Sequence, residues 1–189
     1  MDRRMILLAL GAAAAAGPVA AQTGQTGQTG QSGQAGQTGQ AGAGQRGAMG
    51  NAEMEHARKT LMAGTVALQT SDIAMQKASN AGVKQFAKFE HDEQTTIAEV
   101  LRSMDASLKP APDPKMADMV QKLQSAQAGA AFDKMYVTGQ IEGHQNLLAI
   151  QEEYLKGGKD VHHTGMAKLA RAMIREHLVH LGELQKSLG

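Results

Sequence analysis

Cysteine is absent from the 189 residues. That excludes disulfides, thiol catalysis, zinc fingers and a lipidated N-terminal cysteine, and it leaves His, Glu, Asp and Met as the only side chains able to hold a metal. Tryptophan is absent and aromatic residues make up only 3 % of the chain. Strand-rich cores draw on aromatic and β-branched side chains, whereas this chain is rich in alanine, leucine and methionine, so it reads as all-α. Neither charge dominates: the formal net charge is +1, and it falls to zero if a leader carrying Asp2, Arg3 and Arg4 is removed. With no basic surplus to neutralise phosphates, nucleic acid is not expected as a partner. No Ser, His and acid arrangement and no phosphate-binding loop stands out, so hydrolase and nucleotide-binding readings have no support.

Long apolar runs are also missing. The longest, Met5 to Ala16, falls well short of the roughly 20 residues that span a bilayer. It follows Arg3-Arg4 and precedes the small residues Val19-Ala20-Ala21, the pattern of a cleaved signal peptide over residues 1–21. A bacterial periplasmic or secreted location follows, with no stable membrane span after cleavage. An ordinary secretory leader is the main expectation, and twin-arginine export is the alternative. Residues 22–50 repeat Gln-Thr-Gly and Gln-Ala-Gly almost without charge or large apolar side chains, and so read as a disordered linker. Binding to cell-wall polymer is the alternative role for that stretch.

Residues 51–189 carry the folded domain. Met54, Ala57, Leu61, Leu68 and Met75 recur at the three- and four-residue steps of an amphipathic helix running from Asn51 to about residue 79. After the turn Ser79-Asn80-Ala81-Gly82, the residues Val83, Phe86, Ile97, Leu101 and Met104 mark a second helix. Pro110, Pro112 and Pro114 interrupt the pattern, and Asp113-Pro114 opens a short crossover helix over residues 115–127. A third long helix covers about 130–156, with Phe132, Tyr136, Leu147 and Tyr154 inward, and Gly157-Gly158 ends it. The fourth covers about 163–187, with Met166, Leu169, Met173, Leu181 and Leu184 inward. Four such helices predict an antiparallel four-helix bundle. The methionines read as core filler, with copper(I) binding by Met116 and Met119 as the lesser alternative.

Polar side chains interrupt these stripes. Glu90 and Gln94 lie between Phe86 and Ile97, Gln140 and His144 between Tyr136 and Leu147, and His177 between Met173 and Leu181. The first helix offers Gln69 or Asp72 at a similar depth. If both hairpin turns sit at one end, Gln69, Gln94, His144 and His177 form one layer, with Gln140, Glu90 and Glu93 close by. Two explanations compete. His144 and His177 with Glu90 or Glu93 could hold a transition metal, the only cofactor the sequence suggests. Alternatively, the layer is a buried hydrogen-bond network that fixes helix register in a non-catalytic structural or interaction protein of the envelope, with an envelope protein as its partner. A di-iron oxidase needs two inward Glu-x-x-His pairs, and the sequence has one, Glu53-x-x-His56, expected to be a solvated first turn. His162-His163 reads as a cap and loop pair, with metal binding at the surface as the lesser alternative, His180 as the edge of its stripe, and His91 as mostly exposed.

The segments KASNAGVKQFAKFEHDEQTTIAEVL, FDKMYVTGQIEGHQNLL and AKLARAMIREHLVHLGELQ resemble the exported bacterial ferritin-like family known as domain of unknown function 4142. The resemblance covers about residues 55 to 187 and implies a ferritin-like bundle outside the cytoplasm. In that family a glutamate often stands at the place of Gln69 and a histidine at the place of Gln94, alongside histidines matching His144 and His177. The implied four-ligand set is here reduced to two histidines, leaving Glu90 or Glu93 as substitutes.

Overall fold

The computed structural model describes residues 49–189, which form five helices and, among the described residues, no strand. They are α1 (Asn51–Lys77), α2 (Ala81–Met104), α3 (Ala117–Ser125), α4 (Ala130–Leu155) and α5 (Val161–Ser187). The signal-peptide reading and nearly all of the linker reading lie outside the described residues. None of the described helices is long and apolar enough to cross a membrane.

Side-chain caps set the starts of α2 and α5. Asn80 Oδ1 accepts from the backbone N–H groups of Gly82 and Val83 at 2.8 and 3.1 Å, opening α2. Asp160 Oδ1 accepts from His163 N at 2.8 Å, which starts α5 at Val161, two residues before the apolar pattern implied. Asp113 Oδ1 accepts instead from Lys115 N at 3.0 Å within a turn, so α3 begins at Ala117 rather than at residue 115.

Helix α1 packs against α2 and α4, α4 against α5, and α3 lies over α1 and α4. Phe86, Leu123, Phe132, Tyr136 and Leu181 are fully or almost fully buried in one apolar cluster, while Ala63, Leu147, Ala170 and Ile174 form another. Leu169 departs from expectation: it is 69 % exposed, because α5 turns Ala167, Ala170 and Ile174 inward. Met116 and Met119 act as packing groups, their methyl ends lying over Gly143 and Gly139 of α4.

The hairpin turns are tied down at different places. Asp133, in the first turn of α4, accepts from Ser79 N (3.0 Å), Ser79 Oγ (2.5 Å) and Asn80 N (2.9 Å), pinning the α1–α2 turn to the start of α4. The α4–α5 turn lies beside the start of α1, where the Tyr154 hydroxyl donates to Glu53 Oε1 at 3.0 Å. The supposition that both turns share one end is therefore overturned. Helix α1 has 27 residues, about 40 Å, between these two points of attachment.

Candidate metal centre

Three side chains from three helices meet where the apolar stripes are interrupted. Glu90 of α2 is 0 % exposed and His144 of α4 is 1 % exposed, while the His177 side chain of α5 is 16 % exposed. Glu90 Oε2 lies 3.2 Å from His144 Nε2 and 3.2 Å from His177 Nδ1. Those two nitrogens are themselves 3.2 Å apart. The ligand atoms thus mark an equilateral triangle. Among the described residues this is the one group of three metal-ligating side chains whose atoms come within 4.8 Å of one another.

A hydrogen bond to a backbone carbonyl fixes the proton on one of the two rings. His144 Nδ1 lies 2.8 Å from the Gln140 carbonyl oxygen, which can only accept, so Nδ1 is protonated and Nε2 of the neutral ring is a lone pair. His177 Nε2 faces Glu93 Oε2 at 3.4 Å and its Nδ1 faces His144 Nε2 at 3.2 Å, so either nitrogen of the neutral ring can carry the proton. Gln94 Nε2 donates to the other Glu90 oxygen, Oε1, at 2.9 Å, while Oε2 has no properly aligned hydrogen-bond donor despite its two close nitrogens. A proton on His177 Nδ1 satisfies these atoms by itself; with the ring proton on Nε2 instead, three lone pairs converge and can hold a metal ion.

The electrostatics agree. Burial pushes the Glu90 carboxyl up, but the close nitrogens of His144 first and of His177 next, when either ring carries the shared proton, outweigh it and hold the group down at about 2. Burial pushes His177 down, and Glu90 and Glu93 more than reverse this, so its pKa is raised. Glu93 is raised, first by burial and then by repulsion from Glu90. Phe86 walls the centre, its ring centroid 5.9 Å from that of His144, 5.3 Å from His177 and 5.6 Å from His180.

Of the residues assigned to the layer from sequence, His144, His177, Glu90, Glu93, Gln94 and Gln140 are brought together. Gln69 is not. It is half-buried, and its neighbour Thr70 faces inward, receiving Gln140 Nε2 at 2.9 Å and donating to the Val66 carbonyl. Asp72 turns instead to His91 at 2.7 Å, so His91 is half-buried rather than mostly exposed. The expected solvated turn at Glu53-x-x-His56 is also corrected: His56 is 3 % exposed, and His163, read as part of a loop, is 2 % exposed. The end of α4 and the start of α5 cover this end of α1. One signal pointed inward, namely the continuation of His56 and Thr60 into Gly64 and Ala67 at helical steps.

Gly64 shows how closely the helices approach at the centre. A β-carbon there would collide with Gln94 Oε1. Gly64→Ala is expected to displace Gln94 from Glu90 and cost about 1–3 kcal/mol as an overpacking change, read as a lowered urea midpoint.

The described residues are therefore all-helical, with a buried carboxylate and two imidazoles converging from three helices. Residues 38–184 match the family model described as Domain of unknown function (DUF4142), and the chain belongs to that family. No curated protein and no solved structure matches it.

Proposed function

We propose that this protein is an exported, non-catalytic envelope protein whose four long helices form an antiparallel, ferritin-like bundle around a divalent transition-metal ion. The ligands are Glu90 Oε2, His144 Nε2 and His177 Nδ1, and Glu93 orients His177. The bundle reading is supported by the side chains that meet across α2, α4 and α5, with α3 lying in the crossover between α2 and α4. The leader pattern in residues 1–21 supports export.

The observation that carries the metal reading is the 3.2 Å triangle. An ion about 2.0–2.1 Å from each corner subtends angles of roughly 103°, close to tetrahedral, with a fourth position left over. A hydrogen-bonded Nδ1–H on His144 and a carboxylate behind His177 are the outer contacts that orient metal-binding imidazoles. The competing reading is a register-fixing polar layer in which a proton takes the cation's place, and it is favoured by the raised pKa of His177.

Metal analysis of the purified chain, followed by zinc or cobalt titration, separates the two. One equivalent is expected, falling at least about a hundredfold in affinity in His144→Ala and His177→Ala. No stoichiometric metal, or uptake indifferent to both changes, would leave the register-fixing layer as the function.

A further inference from the structure

A second cluster of buried imidazoles lies where α1 begins and α4 gives way to α5, and the central metal reading leaves it unused. The ring centroids of His56 and His163 are 5.9 Å apart, and Tyr154 stacks on His56 at 4.2 Å. Gln151 Nε2 donates to Thr60 Oγ1 at 3.1 Å, which turns its carbonyl oxygen toward His56 Nε2 at 2.8 Å. An amide oxygen only accepts, so His56 carries its proton on Nε2 and presents a bare lone pair at Nδ1. That Nδ1 has no hydrogen-bond partner, and neither ring nitrogen of His163 has one. Three buried imidazole nitrogens without partners within one ring contact call for an occupant, since leaving each unmet costs about 1–3 kcal/mol. Burial is the first cause lowering the pKa of both rings, which keeps them neutral and able to coordinate.

We propose that His56 Nδ1 and one ring nitrogen of His163 form a second metal site, and that it takes monovalent copper. Two imidazoles sharing an ion at about 2.0–2.1 Å put their ring centroids roughly 5.2 Å apart at a tetrahedral angle and roughly 6.4 Å apart when linear. The central pair, His144 and His177, stands at 5.3 Å, near the tetrahedral limit. The His56 and His163 rings, 5.9 Å apart, fall within this range, a separation that an ion content with two or three ligands can bridge. No carboxylate completes a tight three-atom group here, and Glu53 Oε1 is engaged by the Tyr154 hydroxyl at 3.0 Å. Zinc in a closed site asks for four ligands. The cost of burying an ion grows with the square of its charge, and two neutral imidazoles bring no counter-charge, so a single positive charge near the ionised Glu53 is the less costly case. Imidazole is a good copper ligand, and His56 and Tyr154 also line an open cleft of about 1160 Å³ through which an ion can arrive.

The site stands independently of the central one, and the test keeps them apart. The full chain is titrated anaerobically with copper(I) against a colorimetric copper(I) chelator. One copper(I) is expected in the wild type and in the His144→Ala, His177→Ala double variant. In His163→Gln that copper should weaken at least a hundredfold while cobalt binding at the centre persists. X-ray absorption of the copper-loaded wild type should show two or three nitrogen neighbours and no sulfur, a readout that survives any folding defect in His163→Gln. Absence of copper(I) uptake, uptake indifferent to His163→Gln, uptake that follows His144 and His177, or sulfur neighbours contributed by methionine would each overturn the assignment.

Discussion

Replacing Glu90 with alanine is expected to cost the metal-free protein about 3–5 kcal/mol and to lower metal affinity at least a hundredfold. The stability loss has a specific origin. Glu90 is 0 % exposed and is the anion facing both rings, so its removal leaves any proton shared by His144 and His177 buried and uncompensated. Glu90→Gln separates charge from shape, since its amide oxygen can still accept from Gln94. The difference between Glu90→Gln and wild type carries a pH signature. The Glu90 carboxyl is held at about 2 in the folded protein against 4.5 ordinarily, so its stabilisation is fully present above 4.5 and is lost as pH falls from there toward 2. Over that window the wild type should lose about 3 kcal/mol more than Glu90→Gln, measured by urea unfolding in the presence of chelator. Parallel curves would mean that the charge at the centre contributes nothing and that shape alone matters.

The helices were legible in the sequence because a 3.6-residue period over more than twenty residues survives local irregularity, and the polar interruptions of α2, α4 and α5 were legible for the same reason. The facing of α1 was not. Gln69 and Thr70 differ by only one step of about 100°, and a helix rich in alanine and threonine has too weak an apolar stripe to decide between them. In the sequence His56 reads as solvated on a sound general rule, that first turns fray. The rule fails here because Tyr154 stacks on the ring and the start of α5 closes over it, and both contacts are long-range. Gly158 belongs to the same enclosure. Its φ is not left-handed, and the need for glycine comes from the Tyr154 ring lying where a β-carbon would stand. Turn lengths, finally, say that two helices fold back on each other but not which end of one hairpin meets which end of the other. The assumption of a shared end was the natural one, and the side chain that decides the matter is Asp133.

Asp133 was visible in the FDKMY segment, yet nothing local announces that its carboxylate grips a turn more than fifty residues earlier. The grip sets the register of the centre. From Asn80 to Glu90 along α2 is ten residues, and from Asp133 to His144 along α4 is eleven, about 15 and 16 Å from a common anchor. The two side chains therefore arrive at one depth because the two helices are clamped at one point. Asp133→Ala should cost about 2–4 kcal/mol, since hydrogen bonds to a carboxylate contribute about 1.5–3 kcal/mol each and water can reach part of the freed turn at Ser79. Asp133→Asn should recover less than half of the loss, because its NH₂ group faces donors where an acceptor is needed. Both variants should also weaken metal binding several-fold although neither touches the centre. A measured affinity unchanged in Asp133→Ala, alongside the expected loss of stability, would show that register is held by apolar packing around Phe86 and Tyr136 rather than by the clamp.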